Sequence, residues 1–255
     1  ERQVHEGDVY LHGGGNFGTI WPAHQQHRID VLQAFKGRRV IQLPQSIHFA
    51  DLQSNGATSA AIEGHGQFTM MVRDKPSAHF ANTHYACPVI ECPDLAFYLR
   101  ALDRTLPSTD IVRLLRTDLE RSSAQSAGLT AADAVDWLRE RRMALRVMRL
   151  RARLASLRTG RGSTRLAGYD RVAWHRIRRG CRLLSAGRVV ITDRLHGHIM
   201  CTLLGIPHVA LDNSYGKLGN FIARWTARSA DLHTANTLAD AERVAAQVLV
   251  RLGVR

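Results

Sequence analysis

The sequence predicts an α/β protein of two Rossmann-like domains facing a cleft. Three observations carry this. Short apolar or β-branched runs alternate with helix-length segments, the mark of parallel βαβ units. Several of those runs end in polar residues, among them Arg73-Asp74, Arg116-Thr117-Asp118 and Asp193-Arg194. The alternation pauses between Asp103 and Asp110, where Pro107 and Ser108 suggest a linker, and then restarts. The expected domains are therefore residues 1–104 and 105–255.

In order, Val9 to Leu11 reads as a strand, Gly13 to Gly18 as a loop and Ala23 to Phe35 as a helix. Arg39 to Leu43 reads as a second strand closed by Pro44 and Gln45-Ser46, and Phe68 to Val72 as a third. A short helix is expected over Ser77 to Asn82 and a short strand over Pro88 to Glu91. The second half opens with a strand at Ile111 to Leu115, followed by a helix-rich stretch from Ala131 to Leu184. Then come a strand over Val189 to Ile191, a helix over Leu195 to Leu204 and a strand over His208 to Leu211. Helices near Leu218 to Trp225 and Leu238 to Leu252 close the pattern.

A chain of 255 residues that is 45% hydrophobic can bury a sizeable core. Its start, Glu1-Arg2-Gln3-Val4-His5, has no signal-peptide pattern, and no apolar run approaches the roughly 18 residues of a membrane span. Four scattered cysteines read as reduced thiols, and a cytoplasmic location is expected. The net charge of +13 is not spread over the surface. Residues 138–182 hold fifteen arginines against only Glu140 and Asp170, which accounts for all of it.

Within that segment Arg139, Arg142, Arg146, Arg149 and Arg153 form one helical stripe. Met143, Val147, Leu150, Leu154 and Leu157 form an apolar stripe beside it. Two readings stand: a helix packed on the domain by its apolar side, or one lying through 138–158 on an anionic membrane, peripheral at the inner face of the plasma membrane. Nucleic acid is not expected, because no aromatic stacking platform or known module is present.

Ligands of open α/β sheets bind at the carboxyl ends of strands and at the helix N-termini that follow. The segment Thr192-Asp193-Arg194-Leu195-His196-Gly197-His198 sits at such a point, with Arg194 suited to hold an anion and His196 to transfer a proton. Arg73 and Arg116 repeat the strand-end placement. The glycine triplet Gly13-Gly14-Gly15 before Asn16 reads either as a turn or as a close-approach anion loop. Its spacing is not that of a dinucleotide fingerprint. No Walker loop, serine elbow or zinc-ligand pattern occurs, and neither a metal nor a cofactor is expected.

Taken together, Leu11 to Gly18, Gln42-Leu43-Pro44-Gln45-Ser46-Ile47, Arg73-Asp74, Leu115 to Asp118, Thr192 to His198 and Asp212-Asn213-Ser214-Tyr215-Gly216-Lys217 resemble the polysaccharide pyruvyl transferase family, in its bacterial exopolysaccharide-biosynthesis branch. The resemblance implies a GT-B-like fold, phosphoenolpyruvate as co-substrate and a sugar in a glycan or lipid-linked precursor as acceptor. The product would be a pyruvate ketal on two hydroxyls. It also implies His196 and Arg194 as catalytic residues, with Arg73 and Lys217 at the donor. Arg116, Gly13, Gly14, Gly15, Asn16, Gln45, Ser46 and Asn213 complete the expected substrate-binding set. The family pattern begins about one βα unit earlier, so the first domain is expected to lack that unit, and Thr19 stands where the family has an acid. The alternatives are a nucleotide-sugar glycosyltransferase of the same fold class and a catalytically silent partner in envelope assembly.

Overall fold

The computed structural model describes residues 7–116, 163–212 and 216–253, together with 135, 137, 146, 147, 150 and 154. The chain forms two compact units. One comprises Glu1–Leu99 with Gly219–Ala227, the other Arg100–Leu218 with Arg228–Arg255.

The first unit is a wholly parallel sheet. Strands β1 (Val9–Leu11) and β2 (Gly14–Gly18) follow one another along one side of β3 (Val40–His48), and β4 (Phe68–Val72) and β5 (Val89–Glu91) continue from its other side. Helices α1 (Pro22–Ala34), α2 (Gly56–His65) and α3 (Lys75–His84) connect them. Leu11, Phe17, Leu32, Ile62, Met70 and Val72 are central to the core.

Three elements differ from the sequence expectation. The glycine run is a strand rather than a loop: Gly14 pairs with Gln45 and Gly18 with His48. A Cβ on Gly18 would lie 1.8 Å from the His48 carbonyl oxygen at a φ of +112°, so only glycine lets the backbones meet there. Strand β3 does not stop at Pro44 but runs on to His48. The missing N–H of Pro44 is tolerated because the β3–β4 register shifts between Gln42 and Gln45, placing the proline in an irregularity of the ladder. Helix α2 has no counterpart in the expected elements. Its small residues blur the apolar period, although Thr58, Ile62 and His65 are its buried positions.

The second unit has a parallel sheet in the order β6 (Thr109–Leu114), β7 (Gly187–Thr192), β8 (His208–Leu211) and β9 (Leu232–Ala235). Helices α4 (Ser163–Ser185), α5 (Leu195–Leu204) and α7 (Leu238–Arg251) belong to it. Strand β7 is apolar at successive positions because both of its faces are covered. Val189 and Ile191 pack with Leu238, Ala241, Ala245 and Val248 of α7. Val190 turns to the opposite face, with Leu184 of α4 and Met200, Cys201 and Leu204 of α5. Strand β9 was not among the expected elements.

Helix α6 (Lys217–Phe221) leads into a π-helical turn, Ile222–Thr226. Residues 219–227 belong to the first unit, where contiguous domains would have assigned them to the second. Tertiary ties decide this. The Trp225 indole N–H donates to the Arg73 carbonyl at 2.8 Å, Arg224 pairs with Glu91 at 2.6 Å, and Phe221 stacks on Phe97. Of the basic stripe only Arg146 is described, with Val147, Leu150 and Leu154 of its apolar companion; the remainder lies outside the described residues. No described helix is long and apolar enough to cross a membrane.

Candidate active site

In the second unit the expected residues gather at the carboxyl ends of neighbouring strands. Arg116 follows β6, Arg194 and His196 follow β7, and Lys217 follows β8. The β7 crossing to α5 is built by Thr192, whose hydroxyl donates to the Leu114 carbonyl at 2.9 Å and accepts from the Arg194 N–H at 3.1 Å. Arg194 stands at the N-cap of α5 in extended backbone and is 7% exposed. His196, in the first turn, is exposed. Lys217 at the start of α6 is buried. Asp212 holds that start by accepting from the Leu218 N–H at 3.1 Å.

The buried Asp193 carboxylate accepts from the Arg116 N–H at 2.9 Å, fixing the end of β6 to the end of β7. Burial pushes its carboxyl up to about 6, against the opposing pull of that hydrogen bond and of the Arg194 and Arg116 charges. Gly197 lets α5 approach the sheet. A Cβ there would lie 2.5 Å from Thr192 Oγ1 and 3.0 Å from Leu114 Cδ2. Gly197→Ala should therefore destabilise the chain by about 1–3 kcal/mol through overpacking. An unchanged denaturation midpoint would refute that contact.

His198, two residues beyond His196, is a buried structural group. Its Nδ1 lies 2.7 Å from His208 Nε2, and His208 Nδ1 lies 2.8 Å from the Ile206 carbonyl. The carbonyl can only accept, so His208 carries its proton on Nδ1 and accepts from His198 on Nε2. Burial holds both rings below the ordinary histidine value of about 6.5. The unfolded chain thus takes up protons first as pH falls through about 6.5, costing about 1.4 kcal/mol of stability per pH unit for each histidine. Asp193 acts in the opposite sense, because its raised carboxyl lets the folded state bind the proton first between about 6 and 3.8. Two histidines outweigh one aspartate. Stability to urea should fall from about pH 7 to about pH 5; a flat profile would overturn the pairing.

In the first unit, Gln45 and Asn16 sit in a buried amide network. Gln45 Nε2 donates to the His12 carbonyl at 3.0 Å and to Asn16 Oδ1 at 2.9 Å, and Arg28 also donates to Asn16 Oδ1. Arg28 further binds Gln42 Oε1 at 2.8 Å and the Asn16 carbonyl at 2.9 Å, and burial lowers it to about 10. His12, exposed beside it, is held below its ordinary value by partial burial and then by Arg28. Gly13 packs tightly too: a Cβ there would meet the Pro44 carbonyl oxygen at 2.6 Å. Gly14 and Gly15 continue at the strand edge, half-buried.

Arg73 is 3% exposed, with its Nη1 on Asp94 at 2.5 Å and its Nε on the Ser46 hydroxyl at 2.9 Å. Ser46 in turn donates to Asp74, the N-cap of α3. These groups hold one another. Asn213 lies outside the described residues. Sequence reasoning missed Arg28, although Gln25, Arg28 and Leu32 mark the inner face of α1 by their spacing. Among the described residues no three His, Cys, Asp or Glu side chains are grouped to hold a metal.

The sequence profile of the family described as polysaccharide pyruvyl transferase matches residues 3–215. The chain belongs to the polysaccharide pyruvyl transferase family. Among its relatives in that comparison of sequences is "Putative pyruvyl transferase EpsO" of Bacillus subtilis (strain 168), 30% identical over 227 residues, covering 85% of this chain and 69% of that one. "Pyruvyl transferase 1" of Schizosaccharomyces pombe (strain 972) is 30% identical over 233 residues, covering 84% of this chain and 54% of its own. The chain thus spans about half to two thirds of the length of these transferases. A crystal structure of a functionally uncharacterized protein, KP1_0663 from Klebsiella pneumoniae, superposes with a TM-score of 0.57 at 19% identity, over 90% of this chain and 75% of that one. That likeness bears on the parallel α/β fold alone.

Proposed function

We propose that the chain transfers the enolpyruvyl group of phosphoenolpyruvate onto two hydroxyls of one sugar, forming a ketal. The observation that carries the reading is Arg194 and His196 at the start of α5, on the strand edge that Arg116 and Lys217 share, in a chain of this family. Guanidinium forks suit both the phosphate and the carboxylate of the donor, and a helix N-terminus favours the same charges. Arg194, Arg116 and Lys217 therefore bind the donor.

His196, in its protonated form, gives its proton to C3 of the donor, which becomes a methyl group. The C2 carbon turns electrophilic and one sugar hydroxyl attacks it. Phosphate leaves the resulting tetrahedral centre and the second hydroxyl closes the ring. The two hydroxyl protons balance the new methyl hydrogen and the released phosphate. We assign Gly13, Gly14, Gly15, Asn16 and Gln45 of the first unit to substrate contact as well, with Arg73 held on the Ser46 hydroxyl. The acceptor is a sugar of a glycan or lipid-linked precursor on the cytoplasmic side of the membrane.

Incubation with phosphoenolpyruvate and sugar glycosides bearing free hydroxyl pairs tests the reading. Phosphate should be released in step with an acceptor mass gain of one pyruvate less one water. Tight binding of a nucleoside diphosphate, with no release of phosphate from phosphoenolpyruvate, would replace this reading with glycosyl transfer.

A further inference from the structure

We infer that the arginine-rich surface around α4 docks the protein on a membrane containing anionic phospholipid. This inference stands on the surface alone and not on the transfer reaction.

Helix α4 turns one face to its unit through Ala173, Ile177, Gly180 and Leu184, at spacings of four, three and four. Gly180 and Leu184 are buried; a Cβ on Gly180 would come within 3.1 Å of the Met200 Cε. The opposite face repeats the same spacing with Arg171, His175, Arg178 and Arg182. Arg171, Arg178 and Arg182 are exposed, and Trp174 beside them is 47% exposed. Six arginines against one acid, Asp170, make the helix strongly cationic, and it contains no lysine. Guanidinium groups match phosphodiester oxygens in a fork that ammonium groups lack.

Charge alone would suit any polyanion. The apolar side chains decide for lipid. Val147, Leu150 and Leu154, at helical spacing in the preceding arginine-rich stretch, are 47%, 57% and 54% exposed. The expectation that this stripe packs inward is not met at these three positions. A phosphate backbone offers nothing to such side chains, whereas the headgroup boundary of a bilayer takes up apolar side chains and an indole while its phosphates meet the arginines. The exposed arginines of α4 with Trp174 among them, and the exposed Val147, Leu150 and Leu154, each suit that boundary.

Flotation of the whole protein with phosphatidylcholine vesicles, with or without phosphatidylglycerol, tests this. Binding should require phosphatidylglycerol and weaken with salt, since a juxtaposed polybasic surface is screened. The triple variant Arg171→Glu, Arg178→Glu, Arg182→Glu should bind at least tenfold more weakly with an unchanged melting temperature and unchanged turnover of a soluble acceptor. Trp174→Ala alone should reduce binding severalfold, which keeps the test decisive if the triple variant misfolds. Equal flotation of the wild type with both vesicle types, equal binding by the Trp174→Ala and charge-reversed proteins, or capture by RNA without vesicle binding would each overturn the inference.

Discussion

Replacing His196 by glutamine should lower the turnover of pyruvyl transfer by about two to four orders of magnitude, the range that a positioned general acid supplies. The side chain is exposed in the first turn of α5, where a donor at the helix start would meet it, whereas Arg194 before it and Gly197 after it are buried. Glutamine keeps a hydrogen-bonding head of similar reach but cannot carry a proton across the reaction. If Arg194, Arg116 and Lys217 hold the anion as proposed, the loss should fall on kcat, with KM for phosphoenolpyruvate changed little. An Arg194→Lys variant should show the complementary pattern and raise KM, since an ammonium cannot reproduce the guanidinium fork. The α5 helix should be retained in the glutamine variant, with a melting temperature near that of the parent. Turnover within threefold of the parent would remove His196 from the proton transfer.

Much of the second unit was legible in the sequence because its cues are local. The run Val189 to Ile191 is β-branched throughout, and the helix from Leu195 to Leu204 has the bounds expected of it. The strand at His208 to Leu211 was equally plain. Less was legible where a partner far along the chain decides the conformation. Gly14 to Gly18 holds three glycines and an asparagine, residues depleted in strands, and is extended because β3 pairs with it. Pro44 ordinarily ends a strand, yet β3 passes through it at a shift in register. Residues 219–227 join the first unit through Trp225 and Phe221, which nothing in their own neighbourhood announces.

The same distinction governs the site. Arg194 and His196 were visible as a strand end meeting a helix start, a pattern confined to a few residues. The commitments of Arg73 were not, because Ser46 lies 27 positions away and Asp94 lies 21. A sequence shows an arginine after a strand and suggests a ligand. Packing also supplies an aspartate and a serine hydroxyl. His198 differs from His196 by two positions, which on a helix is enough to turn one ring inward to His208 and leave the other exposed.

Removing the carboxylate of Asp94 should unfold the first unit at markedly lower denaturant, with a loss of about 3–5 kcal/mol. Arg73 and Asp94 meet at 2.5 Å with side chains only 3% and 8% exposed, so neither charge has water to return to. Their attraction offsets the cost of taking both out of water, and an Asp94→Ala protein retains that cost for the guanidinium with only the Ser46 hydroxyl still holding its Nε. A neutral pair of similar volume, Arg73→Met with Asp94→Leu, should recover most of the loss, because both desolvation costs vanish together. Urea unfolding of the two proteins reads this directly, and equal midpoints for the single and double variants would refute it.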